Sequence, residues 1–199
     1  VKTTTPTQEQ MKPRIARFKE LKPRGAHFQD KLGIPFEVIR LINPKANYVV
    51  MAPEAMPGHL SPNPAVSGGD KGVFRIGIAE CSPGDGPARH VHWKTHETFM
   101  ALSGKWELQW GDKGEESVVL EPFDLFAMPP GVTRRFVNIS DKDAHLLVII
   151  QGRPDEFDDV GLSPEWGQRI VDKHGQEMLE KLIGHGWRFS LEKADDATK

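Results

Sequence analysis

Residues 84–104 read GDGPARHVHWKTHETFMALSG, and the rest of the chain is best read outward from them. His90, His92 and His96 fall here beside Glu97, in a chain with eight histidines in all. His90 and His92 are two apart. Alternate side chains of an extended strand project to one face, so both imidazoles aim the same way. Two imidazoles on one face with a nearby carboxylate form a common donor set for a first-row transition metal. Strict alternation from His92 reaches His96 rather than Glu97. Glu97 therefore joins the set only if the chain turns or bulges near Lys94 and Thr95. The alternative donor is His96, which gives a three-histidine set.

Around this stretch the sequence is a series of short apolar runs. Residues 73–79, 90–92, 98–102, 105–110, 117–120, 123–128, 134–139 and 145–151 each read as a strand. They recur at roughly 8–12-residue spacing with turns between them, as in an antiparallel barrel or sandwich. Trp106, Leu108 and Trp110 alternate with Glu107 and Gln109, and residues 111–114 read as a hairpin turn. The 19 glycines and 16 prolines punctuate these runs rather than forming low-complexity tracts. The fold expected is an all-β core.

The flanks carry other patterns. Residues 11–24 are basic, and Ile15, Phe18 and Leu21 suit one face of a short solvated helix starting near Pro13. Two apolar runs, 34–42 and 48–52, read as strands. Residues 53–71 read as a loop or partner-facing arm, with His59 solvated in it. After Gly152 the strand signals stop. Residues 153–161 read as an acidic loop in which Asp158 and Asp159 are solvated. Ser163, Pro164 and Glu165 signal a helix start, with serine at the cap and proline in the first turn. Trp166, Ile170 and Val171 form its apolar stripe. Gly175 interrupts it, Met178, Leu179, Leu182 and Ile183 continue it, and residues 184–186 stop it. This segment is expected on the barrel exterior or on a second subunit. The division expected is an N-terminal arm over 1–47, a barrel over 48–152, and a helical extension and tail over 153–199.

Bulk properties narrow the function. The 199 residues suit one domain with extensions. A formal net charge of −2 gives no global basic field, which argues against a nucleic-acid partner. No apolar run approaches the roughly 18 residues of a membrane span, so no membrane partner is expected. Cys81 is the one cysteine, so an intrachain disulfide is impossible. That composition, with no signal pattern at the first residues, fits a cytoplasmic location. Cys81 has no evident basic partner to activate it.

The central stretch resembles the first motif of the cupin superfamily. That motif is Gly, five residues, His-x-His, three or four residues, Glu, six residues, Gly. Gly84, His90, His92, Glu97 and Gly104 meet every spacing, in the four-residue form seen in germins. The second motif is Gly, five residues, Pro-x-Gly, two residues, His, three residues, Asn. Pro129, Gly131 and Asn138 fit it, while Phe123 replaces the glycine and Arg134 the histidine. The resemblance spans about residues 72–152. It implies a cupin-type jelly-roll barrel, to which the N-terminal helical arm and C-terminal helices read from the flanking residues are added.

It also implies that His90, His92 and Glu97 hold a divalent metal, Fe or Mn first, with Ni or Zn as alternatives and His96 in reserve. Arg134 stands where the family places a ligand, and a guanidinium does not bind metal. Either it grips an anionic group of the substrate as a catalytic residue, or it pairs with Glu97 in a metal-free barrel, or it points outward after a local shift. Phe136, Met128 and Phe99 are the other candidate substrate contacts. Like Trp106, Trp110 and Phe126, they are at this spacing more often barrel core. The function implied is a metal-dependent oxidoreductase of the dioxygenase type, acting on a small anionic organic molecule. The alternatives are a metal-free ligand-binding or sensor protein, and a metal-independent isomerase or epimerase. The last needs a tyrosine acid, and Tyr48, the only tyrosine, lies outside the expected barrel strands. A homodimer built through terminal arms is expected.

Overall fold

The computed structural model describes residues 3–24, 31–53, 64–68, 73–153, 156 and 159–193. His59 and Asp158 lie outside them. The strands are β1 (Ala46–Ala52), β2 (Val66–Ser67), β3 (Phe74–Cys81), β4 (His90–His92), β5 (His96–Ala101), β6 (Trp106–Trp110), β7 (Glu116–Leu120), β8 (Leu125–Met128), β9 (Arg134–Asn138), β10 (Ala144–Gln151) and β11 (Val160–Leu162). They form two sheets, in the orders β2-β1-β3-β10-β5-β8 and β11-β4-β9-β6-β7. The β1–β2 pair is parallel and the other pairs are antiparallel. This is the antiparallel barrel expected from the strand spacing.

The inward-facing residues of both sheets meet in one apolar core. Phe99, Trp106, Leu108, Phe136 and Leu146 are among its largest buried members. Phe136 stands between Phe99 and Trp106, with ring centroids 5.5 and 5.8 Å away. The Trp106 indole donates to the Ser103 carbonyl at 2.9 Å, so its polar edge is satisfied where its ring is buried. Trp110 is only half-buried and packs on Phe126 at 5.6 Å.

Two turn positions show how the loops are held. Gly104 has φ +70°, and an added Cβ would lie 2.4 Å from Ser140 Oγ and 2.6 Å from Ala144 Cβ. Both conformation and space therefore demand glycine there. Phe123 occupies the same left-handed region at φ +75°, with its side chain 77% exposed. This conformation costs an L-residue roughly 1–2 kcal/mol. The turn holds it there, since Phe123 N–H donates to the Ala101 carbonyl at 2.7 Å and Glu121 N–H to the Asp124 carboxylate at 3.0 Å. Phe123→Gly is therefore expected to stabilise the fold by about 0.5–1 kcal/mol, net of glycine's larger unfolded-state entropy. The check is the urea midpoint at unchanged slope.

Three flanking expectations are corrected. The 34–42 run is not a strand. Residues Phe36–Ile42 form a helix, α1, whose Val38, Ile39 and Ile42 are buried in one cluster with Trp166 and Leu182. Pro35 sits at its N-cap, and the extended Asn43 before Pro44 ends it. The basic arm is not one helix. It is two short 3₁₀ turns, Lys12–Arg14 and Phe18–Glu20, with an extended residue at Ile15 and again at Arg17. Phe18 is anchored edge-on against Tyr48 and His145, at 5.1 and 5.2 Å. Strand structure also continues beyond Gly152, since β11 pairs with β4. Three residues are too few to show a period.

The C-terminal helices α2 (Pro164–His174) and α3 (Gln176–Gly184) follow the expected pattern, broken at Gly175, except that Ile183 faces solvent. Ser163 occupies the N-cap of α2, but its hydroxyl makes no capping bond. Trp166, Ile170 and Leu182 pack with Val38 and Ile42 of α1 and with Leu162 of β11. These helices thus cover the outside of their own barrel at its β11 edge. Among the described residues, no helix is long and apolar enough to cross a membrane.

Candidate metal centre

The site is built where β4 leads into β5. Residues 93–95 bend between the two strands, and the bend restarts the alternation. His90, His92 and Glu97 consequently face inward and are buried, while His96 is exposed and sits opposite Gln151 on the sheet. The structure thus sets His96 apart from the other three. Ligand atoms of His90, His92 and Glu97 all lie within 4.8 Å of one another.

The bend is held by a residue that the sequence places in solvent. Asp159, just before β11, is instead 2% exposed. Its Oδ2 accepts from the backbone N–H of Lys94 and of Thr95, each at 2.7 Å. The Thr95 hydroxyl donates to the same carboxylate at 3.1 Å. His92 Nδ1 lies 3.2 Å from Asp159 Oδ1. Asp159 therefore fixes both the turn that brings Glu97 inward and the imidazole of His92. Burial alone would raise its carboxyl, but the His92 hydrogen bond and charge and the two N–H donors hold it below the ordinary value.

These partners assign the tautomers. A carboxylate only accepts, so His92 Nδ1 carries the proton toward Asp159. His90 Nδ1 lies 2.8 Å from the Ala88 carbonyl, which also only accepts. In the neutral rings both Nε2 atoms then present lone pairs inward. They face Glu97 Oε2 at 3.4 Å from His90 and 3.6 Å from His92. Burial favours the neutral form of His92. Burial works against the charged form of Glu97, yet the two imidazoles and Arg134 hold its carboxyl well below the usual range. With both rings neutral, the two Nε2 atoms and a Glu97 oxygen form a convergent donor set that fits a cation.

Arg134 lies beside His90 in the register, on β9. Its side chain is fully buried, so it does not point outward. Nη2 donates to the Pro129 carbonyl at 2.7 Å, and Nη1 lies 3.9 Å from Glu97 Oε2. Nε and Nη1 have no hydrogen-bond partner among the described residues. Burial lowers its pKa from the ordinary value, and Glu97 and Asp159 oppose that shift.

A cavity of about 130 Å³ opens over the donor set. Arg24, Arg75, His90, His92, Glu97 and Phe136 are among its walls. Of the other candidate substrate contacts, Phe99, Met128 and Arg134 are not. Phe99 lies two residues deeper than Glu97 on β5 and behind Phe136, and Met128 pairs with Glu97 from the sheet edge. Arg134 lies beside Glu97 without lining the cavity. Arg75 and Asp159 are not among the candidates read from sequence. The signal for Arg75 is a lone charge in the alternation set Arg75, Gly77, Ala79, Cys81, whose other members are small. The apolar Phe74, Ile76 and Ile78 of the opposite set mask it.

Residues 77–150 match the family described as Cupin domain. Solved structures give partial likenesses. A cupin-superfamily sugar phosphate isomerase from Silicibacter pomeroyi DSS-3 is 29% identical, over 41% of this chain and 52% of the other, with a TM-score of 0.37. This chain thus spans about half the length of that protein. A protein from Thermus thermophilus is 28% identical, over 41% of this chain and 75% of the other, with a TM-score of 0.38. A Cupin 2 conserved barrel domain protein from Salinispora arenicola CNS-205 is 22% identical, over 47% and 71%, with a TM-score of 0.38. No curated protein matches the sequence.

Proposed function

We propose, for a chain that belongs to the cupin superfamily through residues 77–150, that it is a metal-dependent oxidoreductase of the dioxygenase type. The substrate is a small anionic organic molecule, with dioxygen as oxidant and both of its atoms entering the product. The observation that carries this is the pair of imidazoles whose Nδ1 atoms lie against the Ala88 carbonyl and the Asp159 carboxylate, leaving both Nε2 atoms turned toward Glu97. Two histidines and one carboxylate with positions left open are the donor set of non-haem iron oxygenases. A divalent ion held by His90, His92 and Glu97 supplies Lewis-acid and redox chemistry there.

The chain's own residues do the rest. Asp159 keeps His92 in the ligating tautomer. Arg134 holds the Glu97 carboxylate ionised. Phe136, with Val148 and Ile150 on the wall, keeps the site poor in water. Protein purified without chelator is expected to carry close to one iron or manganese per chain, and to consume dioxygen with some member of a panel of small organic acids. Metal-free protein that regains no activity with iron, manganese, nickel or zinc would overturn this reading.

The ion pair between Arg134 and Glu97 favours a second reading, a metal-free small-ligand binder, because it already supplies a counter-charge for the carboxylate. A ligand-induced thermal shift in chelator-treated protein, unchanged on adding metal, would select it. The isomerase reading has no such support. Tyr48 does lie on a barrel strand, β1, but its hydroxyl donates to Glu80 at 3.1 Å and it lines no part of the cavity.

A further inference from the structure

The register of the larger sheet places three side chains in one row. Arg75 on β3 is paired with Ile150 on β10, and Ile150 is paired with Glu97 on β5. Directly paired residues project to the same face, and two strand spacings separate the ends of the row by about 10 Å. Arg75, Ile150 and Glu97 all line the cavity. The row thus runs from a guanidinium, across an aliphatic side chain, to the carboxylate of the donor set.

The other arginines of the interior make local contacts. Arg134 donates to Pro129, and Arg40 pairs with Asp85 at 2.7 Å. The Arg75 side chain makes no hydrogen bond or ion pair among the described residues, although five N–H donors sit at its end. It interacts with Glu97 and Asp159 only at longer range, and burial lowers its pKa. Arg24, on the same cavity wall, is pushed down to about 9 by burial and by the charge of Arg75. It remains a cation at neutral pH. Arg75 and Arg24 thus place two guanidinium groups on the cavity wall that also carries the donor set.

We propose that Arg75 is the residue that binds the substrate's oxyanion, a carboxylate or phosphate group, in a two-pronged hydrogen bond. The row then specifies the rest of the molecule. An anionic head lies at Arg75, a short apolar middle crosses Ile150, and the reacting end reaches His90, His92 and Glu97. Placement of the reacting end rests on the metal-centre reading above, whereas the anion site at Arg75 does not. The planar fork of arginine matches an oxyanion in a way that a lysine ammonium does not.

The test is calorimetric titration of butyrate and of inorganic phosphate into chelator-treated and Mn(II)-loaded protein, for wild type, Arg75→Gln and Arg75→Lys. Wild type is expected to bind at least one probe in both states, and the probe bound tells carboxylate from phosphate. Arg75→Gln is expected to weaken that binding by about 10–100-fold. Arg75→Lys is expected to fall between, which keeps the test open if the glutamine variant folds poorly. The metal content of the variants is expected to match wild type. Equal binding by Arg75→Gln and wild type, or no binding of either probe by wild type, overturns the assignment. A chain that takes up no metal but loses anion binding in Arg75→Gln supports the Arg75 site and removes the metal-centre reading.

Discussion

Arg134→His is expected to raise affinity for Mn(II) or Zn(II) by on the order of 100-fold or more. Arg134 is fully buried, with Nη1 3.9 Å from Glu97 Oε2. A cation bound by Glu97 therefore sits close to a guanidinium that cannot give up its charge. Two unit charges about 4 Å apart at an effective dielectric constant near 20 interact by about 4 kcal/mol, and a divalent ion doubles the charge on one side. Screening and relaxation remove part of that repulsion, but each ~1.4 kcal/mol that remains is a factor of ten in affinity. The substitution also offers an imidazole from the strand beside His90, as a fourth donor. Competition against a chelator of known affinity measures the gain. A variant that binds no tighter than wild type would mean the cluster is not an adapted metal site.

Asp159→Ala acts from the opposite side of the site. It is expected to lower metal affinity by about 10–100-fold, the usual effect of losing a partner that orients a ligating histidine. It is also expected to destabilise the fold by roughly 3–5 kcal/mol, because one buried carboxylate serves Lys94, Thr95 and His92 together. The two effects are separable. Urea unfolding of metal-free protein reads the turn, and chelator competition at a temperature where the variant is folded reads the histidine. Asp159→Asn keeps the volume and one acceptor oxygen, and is expected to recover part of the stability. Metal affinity equal to wild type in Asp159→Ala would show that Thr95, 2.9 Å from His92 Nδ1, suffices to orient the ring.

The parts of this molecule that are legible in the sequence are those governed by local rules. The barrel strands follow from alternation and turn residues, and the spacing from Gly84 to Gly104 holds because Gly104 is required both by φ and by contact with Ser140 and Ala144. The need for a bend between His92 and Glu97 also follows from counting alternate positions. What holds that bend does not. Asp159 reaches it from a different part of the chain, and in an acidic stretch nothing local marks one aspartate as buried. The 34–42 run reads as a strand for a related reason. Its apolar residues are dense enough to fit either period, and only the packing of Val38 and Ile42 against Trp166 and Leu182 settles on a helix. Arg75 carries no local mark of its role, because register across three strands, rather than position in one, aligns it with Glu97.

The placement of Asp159 also bears on how the site comes into being. His90, His92 and Glu97 leave the ribosome well before Asp159 does, because the chain is made from its N-terminus. The first motif is then complete while His92 still lacks the carboxylate that sets its tautomer and the bend still lacks its brace. Only when β11 adds to the edge of β4 does the last piece arrive. The order of synthesis thus separates the birth of the donors from their orientation. It makes the segment after the barrel the finishing element of the site rather than an appendage to it.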